Sequence, residues 1–132
     1  MLEILQELGD TGSRRGLYLH PDFTSAPTFL PYSEFPARVA AAAKHLRAQG
    51  IQPGDRVILP FETREEVIFS FFGLMEVGAV PLSVKPYILS TPRQSYREFL
   101  TRISERYGAH QILDTPSLSG LTLPMPRVSL NR

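Results

Sequence analysis

The spacing of apolar residues divides the chain into short, well-punctuated elements. Leu2, Ile4, Leu5 and Leu8 fall at helical spacing and predict a short amphipathic helix, followed by a polar turn over 9–16. Gly16-Leu17-Tyr18-Leu19-His20 and Pro27-Thr28-Phe29-Leu30 read as two short strands, paired as a hairpin across the turn-rich 21–26. Ser33 is placed to cap a helix over 34–49. Its apolar positions Phe35, Val39, Ala42, Ala43 and Leu46 share one face, and Gly50 ends it. Gln52-Pro53-Gly54-Asp55 has the Pro-Gly order of a type II turn. The apolar run over 56–61 then predicts a strand buried on both faces.

Thr63 and Glu66 form a capping-box pair opening a helix that runs to Val77 and stops at Gly78. Val67, Ile68, Phe69, Phe71, Phe72, Leu74 and Met75 make it apolar around most of its circumference, so it should be largely buried. Residues 79–84 form the next strand. After a loop over 86–90, Thr91 is a cap and Pro92 the first helical position. Tyr96, Phe99, Leu100, Ile103 and Tyr107 give that helix one apolar face, up to Gly108. Short strands are expected over 111–114 and 127–130.

The alternation of strand and helix with short connections predicts an α/β fold, a parallel sheet flanked by helices. The chain divides into a helix and small strands (1–30), a βαβαβ core (31–115) and a Ser-, Pro- and Leu-rich connecting tail (116–132), all within a single subdomain. No internal repeat or low-complexity tract breaks the pattern.

Composition narrows the function classes. The 132 residues are 42% hydrophobic and 20% charged, the profile of a soluble globular protein. A net charge of +1, from 14 basic and 13 acidic residues, gives no reason to expect nucleic acid or an anionic membrane as partner. The absence of cysteine excludes disulfides, thiolate metal sites and cysteine nucleophiles, and it fits a reducing cytoplasm. The acidic first residues do not read as a targeting signal. The apolar stretch 67–84 contains Glu76, Gly78 and Pro81 and splits into helix and strand, so no membrane span is expected.

Three segments carry a resemblance. They are Leu30-Pro31-Tyr32-Ser33-Glu34-Phe35, Gln49-Gly50-Ile51-Gln52-Pro53-Gly54-Asp55-Arg56-Val57, and Leu74-Met75-Glu76-Val77-Gly78-Ala79-Val80-Pro81-Leu82. In this order and spacing they resemble the amino-terminal region of the adenylate-forming (AMP-binding) superfamily: acyl-CoA synthetases, fatty acyl-AMP ligases and peptide-synthetase adenylation domains. Lys85-Pro86-Tyr87 and the polar loop after it look more like fatty acyl-AMP ligases. Phe61-Glu62 departs from the small-residue or Asn-rich turn usual there.

The resemblance covers roughly 18–114 here and a minor part of a complete ligase. It implies an amino-terminal subdomain of an enzyme that activates a carboxylic acid, most simply a fatty acid, with ATP and Mg. The acyl group would pass to CoA or an acyl carrier protein, and the remainder of the ligase would be this chain's partner. That chemistry needs a Ser/Thr-Gly-rich phosphate loop ending in Pro-Lys, a ribose-binding acid and a carboxy-terminal lysine. No position here matches them, so no catalytic, cofactor-binding or metal residue is carried over, and this piece alone is expected to be inactive.

The remaining candidates have simpler readings. Ser117-Leu118-Ser119-Gly120-Leu121-Thr122 resembles a phosphate loop superficially but lacks the second glycine and the lysine. His20, His45 and His110 lack metal-site spacing. Glu62, Glu65 and Glu66 sit where a helix start favours acids, and Asp55 serves its own turn. Arg93, Arg97, Arg102 and Arg106 spread around a helix, with Glu98 placed to pair with Arg102. Phe69, Phe71 and Phe72 read as core rather than as an acyl pocket. A helix this apolar cannot hide all three against one small sheet, which together with the Pro-rich tail 116–126 implies an apolar patch, so the piece should self-associate, bury the patch in contacts between copies, or rearrange to cover it. The alternative to a ligase fragment is a free-standing α/β module that binds a protein or small ligand at the carboxyl ends of its strands.

Overall fold

The computed structural model describes residues 15–20, 24 and 26–131, and the helix expected over 2–8 lies outside them. β1 (Gly16–Leu19) and β2 (Thr28–Pro31) pair antiparallel with Leu17 opposite Leu30, the hairpin expected from sequence. Then follow α1 (Phe35–Ala48), β3 (Arg56–Pro60), α2 (Glu65–Val77), β4 (Val80–Val84), α3 (Arg93–Tyr107), β5 (Gln111–Leu113) and β6 (Arg127–Val128). The last four strands form one sheet in the order β4-β3-β5-β6, with every neighbouring pair parallel. No helix among the described residues is long and apolar enough to cross a membrane.

Topology decides which face each helix covers. The chain steps outward from β3 to β4, then back across β3 to β5. With right-handed crossovers, that reversal puts the two connecting helices on opposite faces. The packing agrees. Val57 and Leu59 meet Ala43 and Leu46 of α1 and Val67 and Leu74 of α2 on one face. Ile58 meets Tyr96 and Leu100 of α3 on the other. These successive residues alternate between faces, as strand geometry requires, and all three are fully buried.

The stretch 116–126, expected as a connection to something further on, connects β5 to β6 across the α3 face. Its Leu118, Leu121 and Met125 are buried there, so it does not contribute the exposed apolar surface expected of it. Phe69 fits its reading as core but not its inclusion in an exposed apolar patch. It is buried against Phe35, at a ring-centroid distance of 5.0 Å, and lies under the Arg38 guanidinium at 4.2 Å. The expectation overlooked the cover that α1 and the hairpin give this end of α2. Phe71 and Phe72 remain half-buried.

Helix stops were legible and helix starts were not. Gly78 and Gly108 end α2 and α3 with φ of 90° and 65°, a region that disfavours other residues. Ser33 lies inside a 3-10 turn (Tyr32–Glu34), and α1 begins after it at Phe35. The Thr63–Glu66 capping box does not form. A tight turn from Glu62 O to Arg64 N (2.8 Å) moves the cap to Arg64, and no side chain caps the helix. Pro92, not Thr91, occupies the cap of α3. Asp55 closes its own turn, its Oδ2 accepting from Gln52 N at 2.8 Å.

Two contacts fix the layers. α1 and α2 touch almost backbone to backbone, because a Cβ on Gly73 would lie 2.9 Å from Ala42 Cβ and 3.1 Å from Ala43 N. On the opposite face the Tyr96 ring lies parallel to Phe99 at 5.8 Å, and its hydroxyl donates to Lys85 O at 2.8 Å. Burial first, and the Glu62 charge second, raise the Tyr96 phenol from 10.0 to about 12.

Gly73→Leu should therefore lower stability by about 2–3 kcal/mol in urea unfolding, as overpacking does, while Leu at exposed Ala40 should change it by under about 0.5 kcal/mol.

The phenol shift also sets a pH dependence. Between pH 10 and about 12 the unfolded chain releases the Tyr96 proton and the folded chain keeps it. Stability is thus fully present below pH 10 and falls as pH rises through that window, by about 3 kcal/mol. In paired unfolding curves, Tyr96→Phe should start less stable and lose less than wild type across the same range.

Candidate functional site: the carboxyl edge of the parallel sheet

In open α/β sheets, ligands gather outside the carboxyl ends of strands where successive connections leave on opposite faces. Here that edge is formed by the ends of β3, β4 and β5. A cleft of about 690 Å³ opens there, lined by Arg64, Glu66, Asp114, Ser119, Gly120 and Arg127 among others.

Several polar groups of this edge are engaged with one another. Glu62 Oε2, just after β3, accepts from Ser117 N at 3.1 Å, and Oε1 lies 3.5 Å from Arg64 Nε. This ties the β3 end to the turn after β5. The buried Thr115 hydroxyl shares a hydrogen bond with Ser117 Oγ at 3.2 Å. Arg127 pairs with Asp114 and donates to the carbonyls of Leu118 and Leu121, closing the turn from β6.

The segment Ser117–Thr122 that looks like a phosphate loop folds as a packed turn. Leu118 and Leu121 anchor it in the core. The amides of Leu118, Ser119 and Leu121 donate to Thr115, Pro116 and Leu118 carbonyls, and that of Ser117 is held by Glu62. A phosphate cradle needs such amides free and convergent. The amides of Ser117, Leu118, Ser119 and Leu121 are thus not free to cradle a phosphate, and no step of carboxylate activation is assigned to this turn.

The other candidates from sequence are dispersed. Glu65 meets Arg38 at 3.4 Å and Glu66 lines the cleft, so the three acids near the start of α2 point to different partners. His20 and His110 are exposed at separate places. His45 Nε2 lies 3.1 Å from Ser129 O. Among the described residues, no group of three or more His, Asp or Glu is placed to hold a metal. Arg93, Arg102 and Arg106 are exposed and Arg97 is half-buried. Glu98 accepts from Gln94 at 3.3 Å and forms no ion pair with Arg102. Phe71 meets Phe61 edge-on at 6.3 Å and Phe72 at 5.4 Å, so these rings build aromatic packing, while Phe69 lines a small pocket of about 80 Å³ with Arg38 and Ala42.

Two contacts had no signal in the sequence. One is the Glu62–Ser117 clamp. The other is the pairing of the Gln49 amide with Ser129, where Ser129 N donates to Gln49 Oε1 at 2.7 Å and Gln49 Nε2 to Ser129 O at 3.0 Å. Both join residues more than fifty positions apart.

Solved structures share this architecture. A structure of fatty acyl-adenylate ligases from E. coli and L. pneumophila superimposes with a TM-score of 0.75 at 25% identity, over 97% of this chain and 24% of that one. The four-domain nonribosomal peptide synthetase AB3403, bound to AMP and glycine, gives 0.70 at 25% identity, over 96% of this chain and 9% of that one. The amino-terminal subdomain of Klebsiella oxytoca NpsA gives 0.67 at 19%, over 98% and 29%. The chain thus spans about a quarter of the length of the ligase structure. No curated protein matches the chain. The sequence model of the AMP-binding enzyme family matches residues 19–112, and the chain belongs to that family.

Proposed function

We propose that the chain is the amino-terminal subdomain of an acyl-adenylate-forming ligase of the fatty-acid class. The parent enzyme activates a carboxylic acid with ATP as its AMP ester and passes the acyl group to a thiol, on CoA or a carrier protein. The observation that carries this reading is the family match over 19–112, together with the shared fold across nearly the whole chain. The fatty-acid class rests on the likeness to fatty acyl-adenylate ligases and on the Lys85-Pro86-Tyr87 loop.

In this reading the chain's work is structural. Its parallel sheet is the layer on which the remainder of the parent assembles a phosphate loop, a Mg-binding acid and an acyl pocket. The engaged groups at the carboxyl edge support it, because they tie the β3 end to the turn after β5 and that turn to β6. The cysteine-free composition supports a cytoplasmic setting.

Acid-dependent exchange of pyrophosphate into ATP tests the reading. The 132-residue chain should give no exchange above a protein-free blank, and the complete parent reading frame should give exchange that depends on a fatty acid. Exchange by the short chain would overturn the scaffold role. Exchange by the parent with amino or aryl acids alone would overturn the fatty-acid class.

A further inference from the structure

Exposed apolar surface gathers around β4. Of the large apolar side chains left exposed among the described residues, Val80 lies on β4, and Ile88 and Leu89 follow it. Phe61, also exposed, is bonded to its last residue through Phe61 N to Val84 O at 3.1 Å. β4 ends the sheet, and among the described residues no strand pairs with its outer side. Its sequence, Val-Pro-Leu-Ser-Val, has none of the charges that usually guard an open edge.

The backbone of that edge has a defined pattern. Val80 N donates to Asp55 O at 2.7 Å and Val84 O accepts from Phe61 N, so Val80, Leu82 and Val84 turn their polar groups toward β3. By alternation, Pro81, Ser83 and Lys85 turn theirs outward. Pro81 has no N–H to offer, and Lys85 O is already taken by the Tyr96 hydroxyl at 2.8 Å. Among the described residues, the outward groups without a partner are therefore Pro81 C=O, Ser83 N–H and C=O, and Lys85 N–H.

We propose that this edge pairs antiparallel with β4 of a second copy of the chain, about a two-fold axis through Ser83. Each Ser83 then donates to and accepts from the other, and each Lys85 N–H donates to Pro81 C=O of the other copy. An unrelated antiparallel strand would leave a carbonyl orphaned opposite Pro81 and an N–H orphaned opposite Lys85. In the two-fold register those positions face each other, so the missing donor meets the occupied acceptor and no group is left unpaired. Leu82 stands opposite Val84 of the copy, apolar against apolar. The two four-stranded sheets become one, and Phe61 of each copy lies beside the joint.

Sedimentation of the 132-residue chain across a concentration series should show a reversible monomer–dimer equilibrium. Ser83→Pro removes an outward N–H and leaves the β3 ladder intact, so it should weaken association by roughly tenfold or more with an unchanged circular dichroism spectrum. Ser83→Asp and Ser83→Lys place like charges at the axis, and each should be monomeric alone. Their equimolar mixture should recover a one-to-one dimer, a result that does not depend on Ser83→Pro folding. A wild-type monomer at all concentrations, wild-type association by Ser83→Pro, or no rescue in the mixture overturns the proposal. So does a monomeric longer parent chain with the Ser83 amide protected from hydrogen exchange, which would assign the edge to a parallel strand of the parent.

Discussion

Val57, Ile58 and Leu59 of β3 have no solvent exposure, and each of the two layers beside the sheet is built on their alternation. Two of them project into the α1–α2 layer and one into the α3 layer, so a single strand supplies the centre of both cores. Such a strand survives only where both faces are covered, which is the condition that confines parallel sheets to helix-flanked folds. The reversal in strand order follows from the same condition. Had the chain continued outward past β4, the second crossover helix would have joined the first on one face and left Ile58 in water.

Covering both faces imposes different demands on each side. The α1–α2 side is thick with aromatic residues at one end, where Phe35, Phe69 and Phe72 meet. Only small residues at the helix crossing let α1 sit close enough to seal it. Gly73 against Ala42 and Ala43 meets that demand, and a glycine in a helix interior costs about 1 kcal/mol to keep there. The α3 side has a single helix, and the shortfall is made up by the turn 116–126, which lays Leu118, Leu121 and Met125 beside Tyr96. This explains why a stretch with only one 3-10 turn is nonetheless packed.

Much of this order was legible in the sequence because it rests on local rules. Alternating strand and helix patterns, Gly78 and Gly108 as stops, and the Pro53-Gly54 turn each depend on a few neighbouring residues. The caps expected at Ser33, Thr63 and Thr91 each lie one residue further on, since a turn just upstream decides where a helix begins. Which elements cover Phe69, and that the 116–126 turn is packed, were not legible either. Both depend on elements far along the chain, and no local pattern encodes which neighbour will arrive. Motif reading reached the family through three local segments, and the contacts of Glu62 and Gln49 stayed invisible to it.

The carboxyl edge of the sheet is cross-linked by its own side chains. A site keeps polar groups free and pointed at a ligand, at the cost of leaving them unpaired when the ligand is absent. At this edge two such pairs are already made within the chain. Glu62, Ser117, Asp114 and Arg127 satisfy one another, and each link crosses from one strand end to another. Such cross-links hold the strand ends at fixed spacing. The departure at Phe61-Glu62 from the usual Asn-rich turn acquires a physical meaning here. Phe61 packs outward against Phe71, and Glu62 turns inward to hold the Ser117 amide, so the two residues divide packing and clamping between them. A small or Asn-rich turn would supply neither the ring nor a side chain long enough to carry a carboxylate to Ser117, and the β5 turn would lose its tie to β3.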